Sequence, residues 1–190
     1  GSGAATGVIN IILKKASKSS IKGAYEVSVG TNNDEKSNSL KLSDRNQNVN
    51  INGSVGAFNY LATFNMTGVN GMSAAKSNNT SNFEHDAFYK ESGMLKLGYQ
   101  FSKALKLDGF LNYEAFDSEF DAGAYSDDNR NTWNYSQIRY GIKPSVKYNN
   151  GEAYAVVSFN KVERFLTQYN SFSNAIYNVD YTGKSINIDV

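Results

Sequence analysis

The chain has 190 residues with 19 Lys plus Arg against 18 Asp plus Glu, a formal net charge of +1, which removes the electrostatic reason to expect nucleic acid as a partner. Its 16 Gly, 13 Tyr and 11 Phe accompany one Pro, no Cys and a mean hydropathy of -0.50. Disulfides and Cys-based metal clusters are excluded, and no run reaches the roughly 18 apolar residues of a spanning helix. A transmembrane β-barrel escapes that requirement, because its strands need only alternate apolar outside with polar inside.

Gly7 to Lys15, GVINIILKK, is dense in β-branched residues and reads as a buried strand. From Ile21 to Gly30 a strict period of two begins, with Ile21, Gly23, Tyr25, Val27 and Val29 on one face and Lys22, Ala24, Glu26 and Ser28 on the other. Thr31 to Asn46 is polar and reads as a loop, with Leu40 and Leu42 hinting at strand extension. Alternation resumes through Val49, Ile51, Gly53 and Val55, turns near Gly56 to Asn59, and continues with Tyr60, Ala62, Phe64 and Met66. After a polar stretch from Asn70 to about Asn82, Leu95, Leu97, Tyr99 and Phe101 share a face. A turn at Ser102 to Ala104 leads to Leu105, Leu107, Gly109, Leu111 and Tyr113, with Phe110 the one apolar residue on their polar side.

Phe116 to about Asn131 reads as a long acidic loop. Ile138, Tyr140, Ile142, Pro144, Val146 and Tyr148 then alternate with polar neighbours, Pro144 being compatible with an edge or bulge. Asn149-Asn150-Gly151 is a hairpin turn. Two further strands are expected over Glu152 to Phe165 and Ile176 to Val190, separated by a long polar aromatic loop, with an irregularity near Gly183. The total is about eight antiparallel strands. Connections alternate short and long and aromatics gather toward strand ends, as outer-membrane barrels require of their turns, loops and interfacial girdles.

The opening run GSGAATGVINIILKK, Gly1 to Lys15, resembles the end of the plug domain in TonB-dependent outer-membrane transporters. Gly1, Ser2, Gly3, Gly7, Val8, Ile9 and Asn10 carry that resemblance: the glycines permit tight turns and close approach, and the hydrophobic run supplies a strand. Asn59 to Ala75 is similar to the family's third barrel strand and following loop, especially Gly71 to Ala75, and the overall layout is similar to cobalamin and catecholate-siderophore receptors. The resemblance implies that residues 1–18 end the plug and 19–190 begin a barrel of about 22 strands, so that the fragment forms an open, curved sheet. It further implies import of a scarce large nutrient (siderophore, cobalamin, haem or a similar chelate) across the outer membrane of a Gram-negative bacterium, driven by the TonB complex through a segment outside these residues.

Asp117, Glu119, Asp121, Asp127 and Asp128 crowd the acidic loop. Asp117, Asp121, Asp127 and Asp128 are candidate calcium ligands, as in cobalamin receptors, although their spacing fits no fixed loop motif and a solvated loop is the plainer reading. Tyr125, Trp133, Phe172 and Tyr177 are candidate contacts to a planar or apolar ligand, or simply girdle and packing residues. His85 is the only histidine and cannot form a His-rich metal site. Without a Cys, a Ser nucleophile in a strand-turn-helix setting or a phosphate-binding glycine loop, no enzymatic function is expected. The rival reading is a stand-alone small barrel or β-sandwich for adhesion or carbohydrate binding, which needs a protected sheet edge.

Overall fold

Every element in the computed structural model is a strand, over the residues it describes: 17–31, 42–71, 73, 85–122, 128–170 and 172–190. The nine strands are β1 (Lys22–Gly30), β2 (Asp44–Val55), β3 (Phe58–Asn70), β4 (Ala87–Gln100), β5 (Leu105–Glu119), β6 (Thr132–Tyr148), β7 (Gly151–Tyr154), β8 (Val156–Asn170) and β9 (Ala175–Asp189). They form one antiparallel sheet in chain order, β7 pairing only with the lower end of β6. The sheet is open, since β1 and β9 are its two ends and do not pair with each other. The expected plug run, Gly1 to Lys15, lies outside the described residues.

The period-two reading holds through the sheet. Directly paired residues form rows, and one such row, Tyr25, Val49, Phe64, Gly93, Tyr113, Ile138, Lys161 and Lys184, crosses eight strands. That row is apolar or glycine from Tyr25 to Ile138, and the rows of the same parity below it are apolar, including Ala62, Leu95, Leu111 and Tyr140, then Tyr60, Leu97, Ile142 and Val157. The other face carries Asn46, Asn50, Asn52, Asn65, Lys96, Asp108, Asn112, Arg139 and Lys143. Neither face is covered: Leu61 is the one buried hydrophobic residue among those described, while Leu95, Leu97, Leu111, Tyr140 and Ile142 are exposed. A water-soluble sheet would hide such a face against a second layer.

The structure corrects several sequence expectations. The strands run further toward the long-loop end: β2 starts at Asp44, β5 continues to Glu119 and β6 starts at Thr132, because backbone pairing continues where the apolar face has turned polar and the alternation of the lower strands is no longer kept. The expected long loop after Arg164 is instead a tight turn, since β8 extends to Asn170, whose side chain accepts from the Phe172 and Ser173 amides at 2.9 and 3.2 Å. Asn174 completes the turn at φ 49°. No irregularity occurs at Gly183, which pairs with Val162 inside an unbroken β9; the missing side chain leaves room for the Tyr181 ring. The strand expected from Glu152 is divided at Ala155, opposite Pro144. That proline has no N–H to give, and only the Ala155 amide bonds back to its carbonyl, at 3.2 Å.

The turns and the apolar area drift together across the sheet. The β2–β3 hairpin closes at Val55–Phe58. Following that row through Tyr99 and Leu107 to Pro144, β6 runs four residues further, to Tyr148, before turning. The apolar limit falls the same way from end to end, from Val29 on β1, four residues above the Tyr25–Lys184 row, and Met66 on β3, two above it, through Ile138 on β6 at the row to Phe159 and Ile186, two below it; β2 departs from the trend, with Gln47 and Arg45 directly above Val49. Tyr89 and Phe165 stand isolated above this limit among Glu91, Asp117 and Glu163.

Candidate functional site

At the long-loop end of the polar face, the row Lys90, Phe116, Tyr135, Arg164 and Tyr181 crosses β4, β5, β6, β8 and β9. The Phe116 and Tyr135 rings stack with centroids 4.9 Å apart; Trp133 meets the edge of Phe116 at 5.7 Å and Phe88 lies 5.9 Å from it. The Arg164 guanidinium sits between Tyr135 and Tyr181, 5.8 and 5.9 Å from their ring centres. Tyr135 donates to Gln137 Oε1 at 2.8 Å, and Gln137 in turn donates to Asn160 at 2.7 Å. The result is an aromatic shelf with one guanidinium and one ammonium, Lys90, which is bridged to Glu114 at 2.8 Å. Chemically it can stack a flat ligand and offer a positive charge beside it.

Of the expected ligand contacts, Trp133 belongs to this shelf. Tyr177 is on the same face nearer the turn, its hydroxyl 3.2 Å from Ser173 Oγ. Phe172 is fully exposed at the turn, and Tyr125 lies outside the described residues. Phe88, Phe116, Tyr135, Arg164 and Tyr181 were missed. The signal was present: extending the parity of β5 and β6 beyond the apolar zone places Phe116 and Tyr135 opposite one another on the polar side.

The neighbouring acidic segment is held by its own ion pair. Asp128 takes both Nε and Nη2 of Arg130 at 2.7 Å, and the Arg130 guanidinium lies 3.2 Å over the Tyr169 ring. The Arg130 hydrogen bonds hold the Asp128 carboxyl below its ordinary value, and the same pairing raises Arg130. Asp121 accepts from the Asp128 amide at 3.3 Å and from Ser73 Oγ at 2.9 Å. Asn131, completely buried, accepts the Tyr169 amide at 2.7 Å and returns its carbonyl to the Phe120 amide at 3.2 Å. Asp117 points to the other side, where Asn134 donates to it. Among the described residues no three acidic or histidine side chains gather as a metal-holding group, and Asp127 lies outside them. Arg130 pairs with Asp128 in this arrangement. His85 is exposed and its Nδ1 donates to the Gly71 carbonyl at 2.5 Å.

No family model matches the chain, and neither the curated proteins nor the solved structures contain a match.

Proposed function

We propose that the chain is part of a TonB-dependent outer-membrane transporter, comprising the end of the plug and the first strands of the barrel, and that the complete protein imports a large nutrient such as a metal chelate or cobalamin. The observation that carries the membrane part is the joint drift of turns and apolar zone. Four residues over four strands is about one residue per strand; with roughly 3.3 Å per residue and 4.8 Å between strands, a level band needs strands tilted by about 35°. Membrane barrels tilt their strands by about 35–45°. The apolar stretch of β5, Leu105 to Tyr113, is roughly 27 Å long, hence about 22 Å tall at that tilt, against an expected band of about 25 Å.

The plug part rests on the resemblance of Gly1 to Lys15 and on how the chain approaches β1. The Ser17 amide donates to Asn52 Oδ1 at 2.9 Å and its carbonyl accepts from Ser54 Oγ at 2.8 Å. Both side chains belong to the polar face. At Ser17 the segment before β1 is therefore on the side that would be the barrel interior, at the short-turn end, and by Ser20, whose carbonyl accepts the Tyr60 hydroxyl at 2.8 Å, it has reached the opposite face. The aromatic shelf lies on the polar face at the opposite end, where an incoming ligand would first meet the wall. A β-sandwich adhesion module would need a second layer over the apolar face. The test is cell fractionation with an antibody to these strands: recovery in the outer membrane of a polypeptide several times this length supports the reading, and recovery in an aqueous fraction contradicts it.

A further inference from the structure

On the apolar side of the sheet, Lys161 of β8 and Lys184 of β9 are directly opposite one another. They occupy the row that holds Tyr113 and Ile138 on the adjoining strands, immediately above Phe159 and Ile186. Like charges facing each other across two strands repel, and an apolar neighbourhood adds to the cost. Glu163, two residues further along β8, bridges Lys161 at 2.8 Å. Lys184 has no ion partner among the described residues and is exposed. Thr182 lies opposite Glu163, and Asp180 is one row beyond.

Resting on the membrane reading above, we propose that Lys161 and Lys184 together bind a phosphate group of an outer-leaflet lipid. The two ammonium groups project from positions about 5 Å apart at the Cβ atoms, so that one phosphate can accept from Lys184 and from Lys161 as the latter turns from Glu163, its charge relieving their repulsion. The site stands where the apolar zone ends on these two strands, the level at which headgroups meet a barrel wall. Phe159 and Ile186 below supply the surface for the acyl chains of the same molecule, and Tyr140, 5.3 Å from the Phe159 ring, widens it. A soluble anion would gain the charges but not this apolar footing.

The test uses the full-length polypeptide that contains these strands, purified from the outer membrane in a nonionic detergent and given lipid A in mixed micelles, with bound lipid read by native mass spectrometry. At about a fivefold contribution per lysine, K161Q/K184Q should retain roughly twenty-five-fold less lipid than the wild type, K161R/K184R should retain it, and K103Q, at a turn on the opposite end, should be unchanged. Inorganic phosphate at equal concentration should not displace the lipid. Equal retention by K161Q/K184Q with its β-sheet spectrum intact would overturn the proposal, as would full displacement by inorganic phosphate. If the wild type itself partitions into the aqueous fraction, the membrane reading falls with it; a membrane-embedded protein with no dependence on the lysines refutes only the lipid site.

Discussion

Phe110 looks misplaced in the sequence, an aromatic on the polar side of β5, until its partner is seen. It pairs directly with Gly141, and a Cβ on that glycine would meet the Phe110 ring, the Val157 carbonyl and Ser158. The ring covers a position where no side chain fits, and Arg139 lies 5.7 Å from it. Gly141→Ala, which must displace backbone as well as ring, should cost about 1–3 kcal/mol, read as a lower urea midpoint for unfolding in detergent micelles; an unchanged midpoint would refute this packing role. The Asp128–Arg130 pair is the other local device. Because its folded value is depressed, the contribution of Asp128 is present at neutral pH and is lost as pH falls through that value, below the ordinary carboxylate range near about 4. Protection factors of the Phe120, Asp128 and Arg130 amides, corrected for intrinsic exchange at each pH, should accordingly fall below about pH 4, and Asp128→Asn should show the lowered protection already at about pH 7 while the strands keep theirs.

Individual strands were readable where one face is apolar and the other polar, as in β3 and the lower part of β5. Their upper parts were not, because above the Tyr113–Ile138 row the apolar face turns polar while Phe116, Trp133 and Tyr135 bring aromatics to the opposite face, so the alternation that marks the lower strands changes sides. That blind region contains the candidate site: Phe116 and Trp133 read as loop residues, yet pairing puts them one row apart on neighbouring strands. The division of the chain at Ala155 was foreshadowed by Pro144, whereas the tight turn after Asn170 depends on a side-chain-to-backbone bond that composition does not announce. At this scale the two faces should respond oppositely to charge. Leu97→Arg, in the apolar zone, should destabilise the protein by about 2–4 kcal/mol; Asn65→Arg, on the polar face, should change it by well under 1 kcal/mol. Similar losses for both, measured by urea titration in micelles, would show that the face assignment is wrong.

Across the whole sheet, the strand pairing and the hydrophobic pattern are separate properties, one set by backbone hydrogen bonds and the other by side chains, yet they share one slant. The apolar limit descends six residues over the seven steps from β1 to β9, close to the four-residue descent of the hairpins over four steps. A membrane would impose a level band on tilted strands and so would account for both with a single angle. The most direct measurement is site-directed spin labelling of the protein in bilayers, with collision accessibility to oxygen and to a nickel chelate recorded along β1, β5 and β9. The account predicts lipid exposure at Val29, Tyr113 and Ile186 and aqueous exposure at Asp117 and Asp180, so that the boundary steps down by about one residue per strand. A boundary at the same register row on all three strands, or aqueous exposure along the whole apolar face, would contradict it.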